Sequence, residues 1–193
     1  MNDSSDFHNL QAMWDAVDFE EVKLNLPAVT RYVDELRRLF VNGQVDFAAF
    51  ALPRHPVFDV YADNRQFHDM GFFEHFWKAD GPSQVFRHEL RELNFFDRGI
   101  FREDSPFLLG GSLASILSWG GAYEAFKRGG LEAKRIGEEA ALEMLDGNYD
   151  DALVFEGHSY WSTYFLDVAW DYAFVVINPG KRLVHTLLAT DTD

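Results

Sequence analysis

The chain has 193 residues, enough for one ordinary domain with a substantial core, and its 47% hydrophobic and 25% charged composition is that of a globular protein. Its formal net charge of −15 argues against nucleic acid, whose phosphates need clustered Lys and Arg, and equally against an anionic membrane surface. With no cysteine, it has no disulfide, no thiol nucleophile and no zinc–thiolate site.

Residues 1–25 carry six acids and one base, and residues 148–193 carry seven acids and two bases. If the two ends meet in space, they form a single negative face. The opening MNDSSDFHNL has neither the basic nor the apolar region of a secretory signal. No apolar run reaches the roughly 20 residues of a membrane span. A cytoplasmic protein is the expectation.

In chain order, Leu10, Met13, Trp14 and Val17 follow helical spacing and predict a short first helix. Pro27 suits a first helical position. After it, Val29, Tyr32, Val33, Leu36, Leu39 and Phe40 form one apolar stripe that stops at Asn42-Gly43. The arginines 31, 37 and 38 fall on the other side, where a solvated face is expected. Val45 to Leu52 is compatible with helix or strand. Val57 to Tyr61 alternates like a strand. Phe67, Phe72, Phe73, Phe76 and Trp77 predict a short buried helix ending near Gly81-Pro82. Phe86, Leu90 and Leu93 have helical spacing, and residues 94–107 look irregular.

A central helical section is expected from Ser105-Pro106, with Ile116, Trp119, Tyr123 and Phe126 on one face. Gly120-Gly121 falls inside it, so a close approach or a break into two helices is expected. The three Gly-Gly pairs lack the spacing of a phosphate-binding loop. Leu131 to Leu145 reads as an amphipathic helix with Lys134/Glu138 and Arg135/Glu139 at i, i+4, stopped by Gly147. Strands are expected at Ala152–Glu156, Tyr160–Val168, Trp170–Ile177 and Leu183–Thr190. Asn178-Pro179-Gly180-Lys181 predicts a type II turn with Pro179 at i+1 and Gly180 at i+2. The strand from Trp170 is apolar on both faces, so it is expected inside the sheet and covered on each side. The fold class is α+β: a single domain over 1–193, with a helical N-terminal and central part packed on a C-terminal, mainly antiparallel sheet that ends in a hairpin at about 170–190.

No catalytic or metal motif is complete. His68 and His75 lie seven apart with Asp69 and Glu74 beside them, but a metal pair needs closer spacing and a third ligand. His88-Glu89 has Glu92 where the zinc-protease motif has histidine. Ser112 follows two glycines and suits a helix N-cap better than a nucleophile. No cofactor is implied. What recurs is acid beside ring on the C-terminal strands. Glu156, Tyr160, Trp161, Asp167, Trp170, Asp171, Asp191 and Asp193 are the candidate partner-binding residues. Trp and Tyr anchor interfaces, and opposite charge speeds encounter, so a basic protein partner is the expectation. In size, acidity and lack of cysteine the chain resembles, in general profile, the small acidic cytoplasmic proteins that neutralise bacterial toxins. That likeness implies a non-enzymatic, immunity-type inhibitor of a basic toxin or nuclease. The alternatives are a metal-dependent hydrolase using those carboxylates with His158, His68 or His75, and a domain binding a small ligand in a ring-lined pocket.

Overall fold

The computed structural model describes residues 3–86, 100–157 and 161–193, with side chains from Asn9 onward. Twelve elements follow in order: α1 (Asp3–Ala16), α2 (Pro27–Leu39), β1 (Gln44–Ala51), α3 (Pro56–Asp63), α4 (Phe72–Lys78), α5 (Asp80–Val85), β2 (Phe101–Asp104), α6 (Pro106–Trp119), α7 (Gly130–Met144), β3 (Leu153–Gly157), β4 (Tyr172–Asn178) and β5 (Leu183–Thr190). The strands make one antiparallel sheet in the order β1-β5-β4-β3-β2. The fold is α+β, with three of its five strands drawn from the C-terminal third.

Alternation along the strands divides the interior in two. Ala173, Val175 and Ile177 point into a ring-rich cluster with Met13, Trp14, Phe58, Phe72, Phe76 and Trp77 from α1, α3 and α4. Phe174 and Val176 point the other way, into an aliphatic cluster with α2, α6 and α7. The sheet is therefore covered on both faces, as the two-sided apolar pattern of Trp170–Ile177 requires. The six stripe residues from Val29 to Phe40 are all buried. The arginines opposite them engage the chain itself: Arg31 pairs with Glu132 and Glu139 of α7, and Arg37 donates to the Val45 carbonyl.

Several expectations are corrected. Val57–Tyr61 is helix, not strand. His55 caps it by accepting from the Val57 amide, and Pro56 supplies the first-turn φ. The apolar residues Phe58 and Ala62 repeat at helical spacing. Val45–Leu52, compatible with helix or strand, is strand as far as Ala51 in β1, and residues 20–22 run beside its outer side through Val22 N to Ala49 O and Ala51 N to Glu20 O, 2.8 and 2.9 Å. Part of the stretch expected to be irregular, 101–104, is strand paired to β3. A new helix, α5, begins where α4 was expected to end. The helix expected over 85–93 lies outside the described residues beyond Phe86.

The central section breaks at Gly120, whose φ of +80 ends α6. Trp119 and Tyr123 consequently face solvent instead of sharing a face with buried Ile116. Ser105, not Ser112, caps α6. In the β4–β5 hairpin the turn is one residue later than expected. Arg182 N bonds Pro179 O at 3.0 Å, and the positive φ falls on Arg182 instead of Gly180. Pro179 therefore occupies position i. The Arg182 guanidinium fixes this geometry by binding Asp59 at 2.8 Å and the Pro53 carbonyl.

Candidate functional site

The loop between β3 and β4 was expected to hold a strand at 160–168; the described part, 161–171, contains none. Side chains take up the backbone groups that a sheet would have used. Ser162 Oγ accepts from the Tyr164 amide at 3.2 Å. Asp171 Oδ2 accepts from the amides of Leu166 and Val168, both at 3.0 Å, and its Oδ1 accepts from Thr190 Oγ1 at 2.6 Å. Between those two amides Asp167 sits at the loop crest with a φ of +60, a conformation that Asp tolerates better than most residues. Beneath the crest, Trp161 and Phe165 are buried in the ring-rich cluster. Tyr164 ties the loop to the sheet, its hydroxyl 3.1 Å from both Asp46 Oδ2 and Leu188 O.

This scaffold leaves a cleft of about 240 Å³ at the end of β3 and β4, lined by Glu156, Gly157, Trp161, Phe165, Asp167, Asp171 and Tyr172. Gly157 is required there: a Cβ would come within 2.8 Å of Ala173 Cβ and 3.0 Å of the Phe101 ring. Half-buried Tyr172 has its phenol pKa raised, first by burial and then by the carboxylates of Glu156 and Asp171. It therefore stays protonated, a ring and a donor beside acids. A concavity with carboxylates and a ring face suits a cation, above all the planar guanidinium of arginine.

Of the eight residues singled out in sequence, Glu156, Trp161, Asp167 and Asp171 thus share one cleft. Trp170 stands next to Asp171, half-buried against the aliphatic cluster. Asp193 is exposed at the end of the chain, and Tyr160 lies outside the described residues. Asp191 is turned wholly inward at 0% exposure. Its two oxygens accept from the amides of Asn42 (3.0 Å) and Ala122 (2.8 Å), which join the α2–β1 and α6–α7 connections to the end of β5. Glu20 and Glu21 stand apart from Asp171. Glu20 and Glu21 lie beside the Phe50–Ala51 end of β1, whereas Tyr172 and Thr190 lie at its Gln44 end, about 24 Å away along an eight-residue strand.

His68 and His75 border a second cleft, of about 290 Å³, with Trp14, Phe73 and Phe101. His75 belongs to α4 and stacks on Trp14 at 4.4 Å; His68 precedes that helix and lies 5.4 Å from the Phe155 ring. Both have pKa values lowered mainly by burial. Among the described residues no three His, Asp or Glu side chains come together as metal ligands would; His158 and His88 lie outside them. No helix among the described residues is long and apolar enough to cross a membrane.

One feature of the surface was hidden in the sequence. Tyr172 was expected on an interior strand face, yet it borders the cleft; its position at the strand terminus, next to Asp171, was the available signal. Compared with protein-family models, curated proteins and solved structures, the chain matches none.

Proposed function

We propose that the chain is a non-enzymatic binding protein of the immunity type, which engages a basic protein partner by receiving a cationic side chain in the cleft at the end of β3 and β4. The observation that carries this is the convergence of Glu156, Trp161, Asp167 and Asp171 on that cleft, with the Tyr172 ring beside them. Asp171 is committed to the loop, and Asp167, exposed in it, supplies the charge and Tyr172 the ring. The surrounding charge acts in the same direction. The ion pairs of the described residues engage eleven of the seventeen bases, Lys23, Arg31 and Arg135 among them, with acids of the same chain. The surplus of −15 is left to steer a basic partner toward the surface. A cysteine-free chain also suits a reducing cytoplasm.

The test is capture from a lysate of the native source at low salt and at about 0.5 M, where surface electrostatics are screened. A basic protein should be held at low salt and released at high salt. The exposed charge reversal Asp167→Lys should weaken its capture about tenfold or more. No partner at either salt, or one indifferent to Asp167→Lys, would contradict the proposal.

A further inference from the structure

α6 is unlike the other helices: its fourteen residues, PFLLGGSLASILSW, include no charged side chain. One side is core, formed by Leu109, Leu113, Ile116 and Leu117. The opposite side is open to solvent, yet it remains uncharged in a protein of net charge −15. Phe107 and Trp119 are each 71% exposed and Leu108 is 56% exposed; Tyr123, just past the helix, is 62% exposed. Between these bulky ends lie the exposed Gly111, Ser115 and Ser118.

We infer that this face is covered by a second copy of the chain, with α6 packing antiparallel on α6 across a two-fold axis near residue 113. The face is its own complement. Phe107 and Trp119 are equidistant from that centre, as are Leu108 and Ser118, and Gly111 and Ser115. A two-fold contact, in which residue i meets j and j meets i, therefore sets Phe107 against the partner's Trp119, and the small waist at 111–115 lets the backbones approach. The rings are about 18 Å apart along the helix axis, which leaves room for that waist between them.

Charge selects the same occupant. Two chains of −15 repel wherever their acids face each other, and α6 brings none. Charges toward its C-terminal end and on α7 are neutralised in pairs: Lys127 with Glu124, Arg128 with Glu35, Lys134 with Glu138, and Arg135 with Glu132 and Glu139. An uncharged centre inside a polar rim is the anatomy of an interface. Three rings of about 150–250 Å² each, mostly exposed, together with Leu108 and the small residues, amount to roughly 600 Å². That approaches the ~800 Å² per partner of a standard interface. None of these residues lines the cleft at the end of β3 and β4, so the dimer does not depend on it.

Sedimentation velocity over low to high micromolar concentration reads the outcome. The wild type should sediment at twice the 22.2 kDa chain mass. Trp119→Glu and Ser115→Arg should each raise the dimer dissociation constant at least a hundredfold with circular dichroism unchanged, whereas Leu142→Arg, exposed on α7, should not. Since the chain lacks cysteine, a mixture of Gly111→Cys and Ser115→Cys chains should cross-link on oxidation faster than either alone. A wild type that stays monomeric throughout overturns the inference, as does a dimer indifferent to both α6 substitutions or a mixture with no cross-linking advantage.

Discussion

Asp191 and His185 show how individual polar residues are held inside this molecule. Asp191 satisfies two amides from two separate loops, so Asp191→Ala leaves both donors without an acceptor at a part-buried site. That should cost about 2–4 kcal/mol in urea unfolding, and a loss below about 0.5 kcal/mol would mean that the loops close without it. His185, 2% exposed on β5, lies 6.0 Å from the Phe47 ring and its Nδ1 has no hydrogen-bond partner. Burial lowers its pKa to about 4, against a weaker opposing pull from Asp146. The ordinary value is higher, near 6.5, so between the two the unfolded chain binds the proton first. Stability is then fully present above pH 6.5 and is lost as pH falls toward 4. From pH 7 to 5 the wild type should lose about 2 kcal/mol more than His185→Leu does. Equal losses in the two proteins would contradict a buried neutral histidine. The sequence showed that these residues exist but not that they are buried, because Asp191 sits in an acidic tail that looks solvated.

At the scale of elements, α6 and α7 pack at backbone distance because glycines face the contact. A Cβ at Gly137 would lie 2.5 Å from Ala114 N and 2.8 Å from the Gly110 carbonyl. Backbone cannot yield as a flexible side chain does, so Gly137→Ala should destabilise by about 1–3 kcal/mol. Gly111 has no neighbouring atom of its own chain within 4 Å, so at concentrations where the chain is monomeric Gly111→Ala should be neutral or stabilising by up to about 1 kcal/mol, from helix propensity. Thermal unfolding of the two variants checks the contrast, and a loss at both positions would mean that open space does not distinguish them. The helices with one apolar face, α2 and α7, were legible because their periodicity is local. Val57–Tyr61 was not, since five residues fit both periods and the cap from His55 decides. The loop at 161–171 was hidden for a similar reason. Its pattern is strand-like, but Ser162 and Asp171 bind its amides before a neighbouring strand can.

Over the whole molecule, β4 contributes one side of its residues to each cluster, and that two-sidedness was written in its apolar pattern. It also predicts cooperative unfolding. Trp14, Trp77 and Trp161 all report on the ring-rich cluster, while α2, α6 and α7 on the other face hold much of the helix. Tryptophan fluorescence and far-ultraviolet circular dichroism should therefore give coincident urea transitions; separated midpoints would show that the two faces unfold independently. Which acids meet could not be foreseen, because the sheet register decides it. That register separates Glu20 and Glu21 from Asp171 and gathers Glu156 with Asp167 and Asp171 instead. The functional proposal rests on that gathering. It is tested most directly by amide chemical shifts of the protein titrated with L-argininamide, a free guanidinium probe. The predicted result is a saturable response centred on Glu156, Gly157, Asp167, Tyr172 and Ala173, abolished by about 0.5 M salt. Shifts spread evenly over the acidic surface, Asp15 to Glu21 included, with no saturation at the cleft would contradict it.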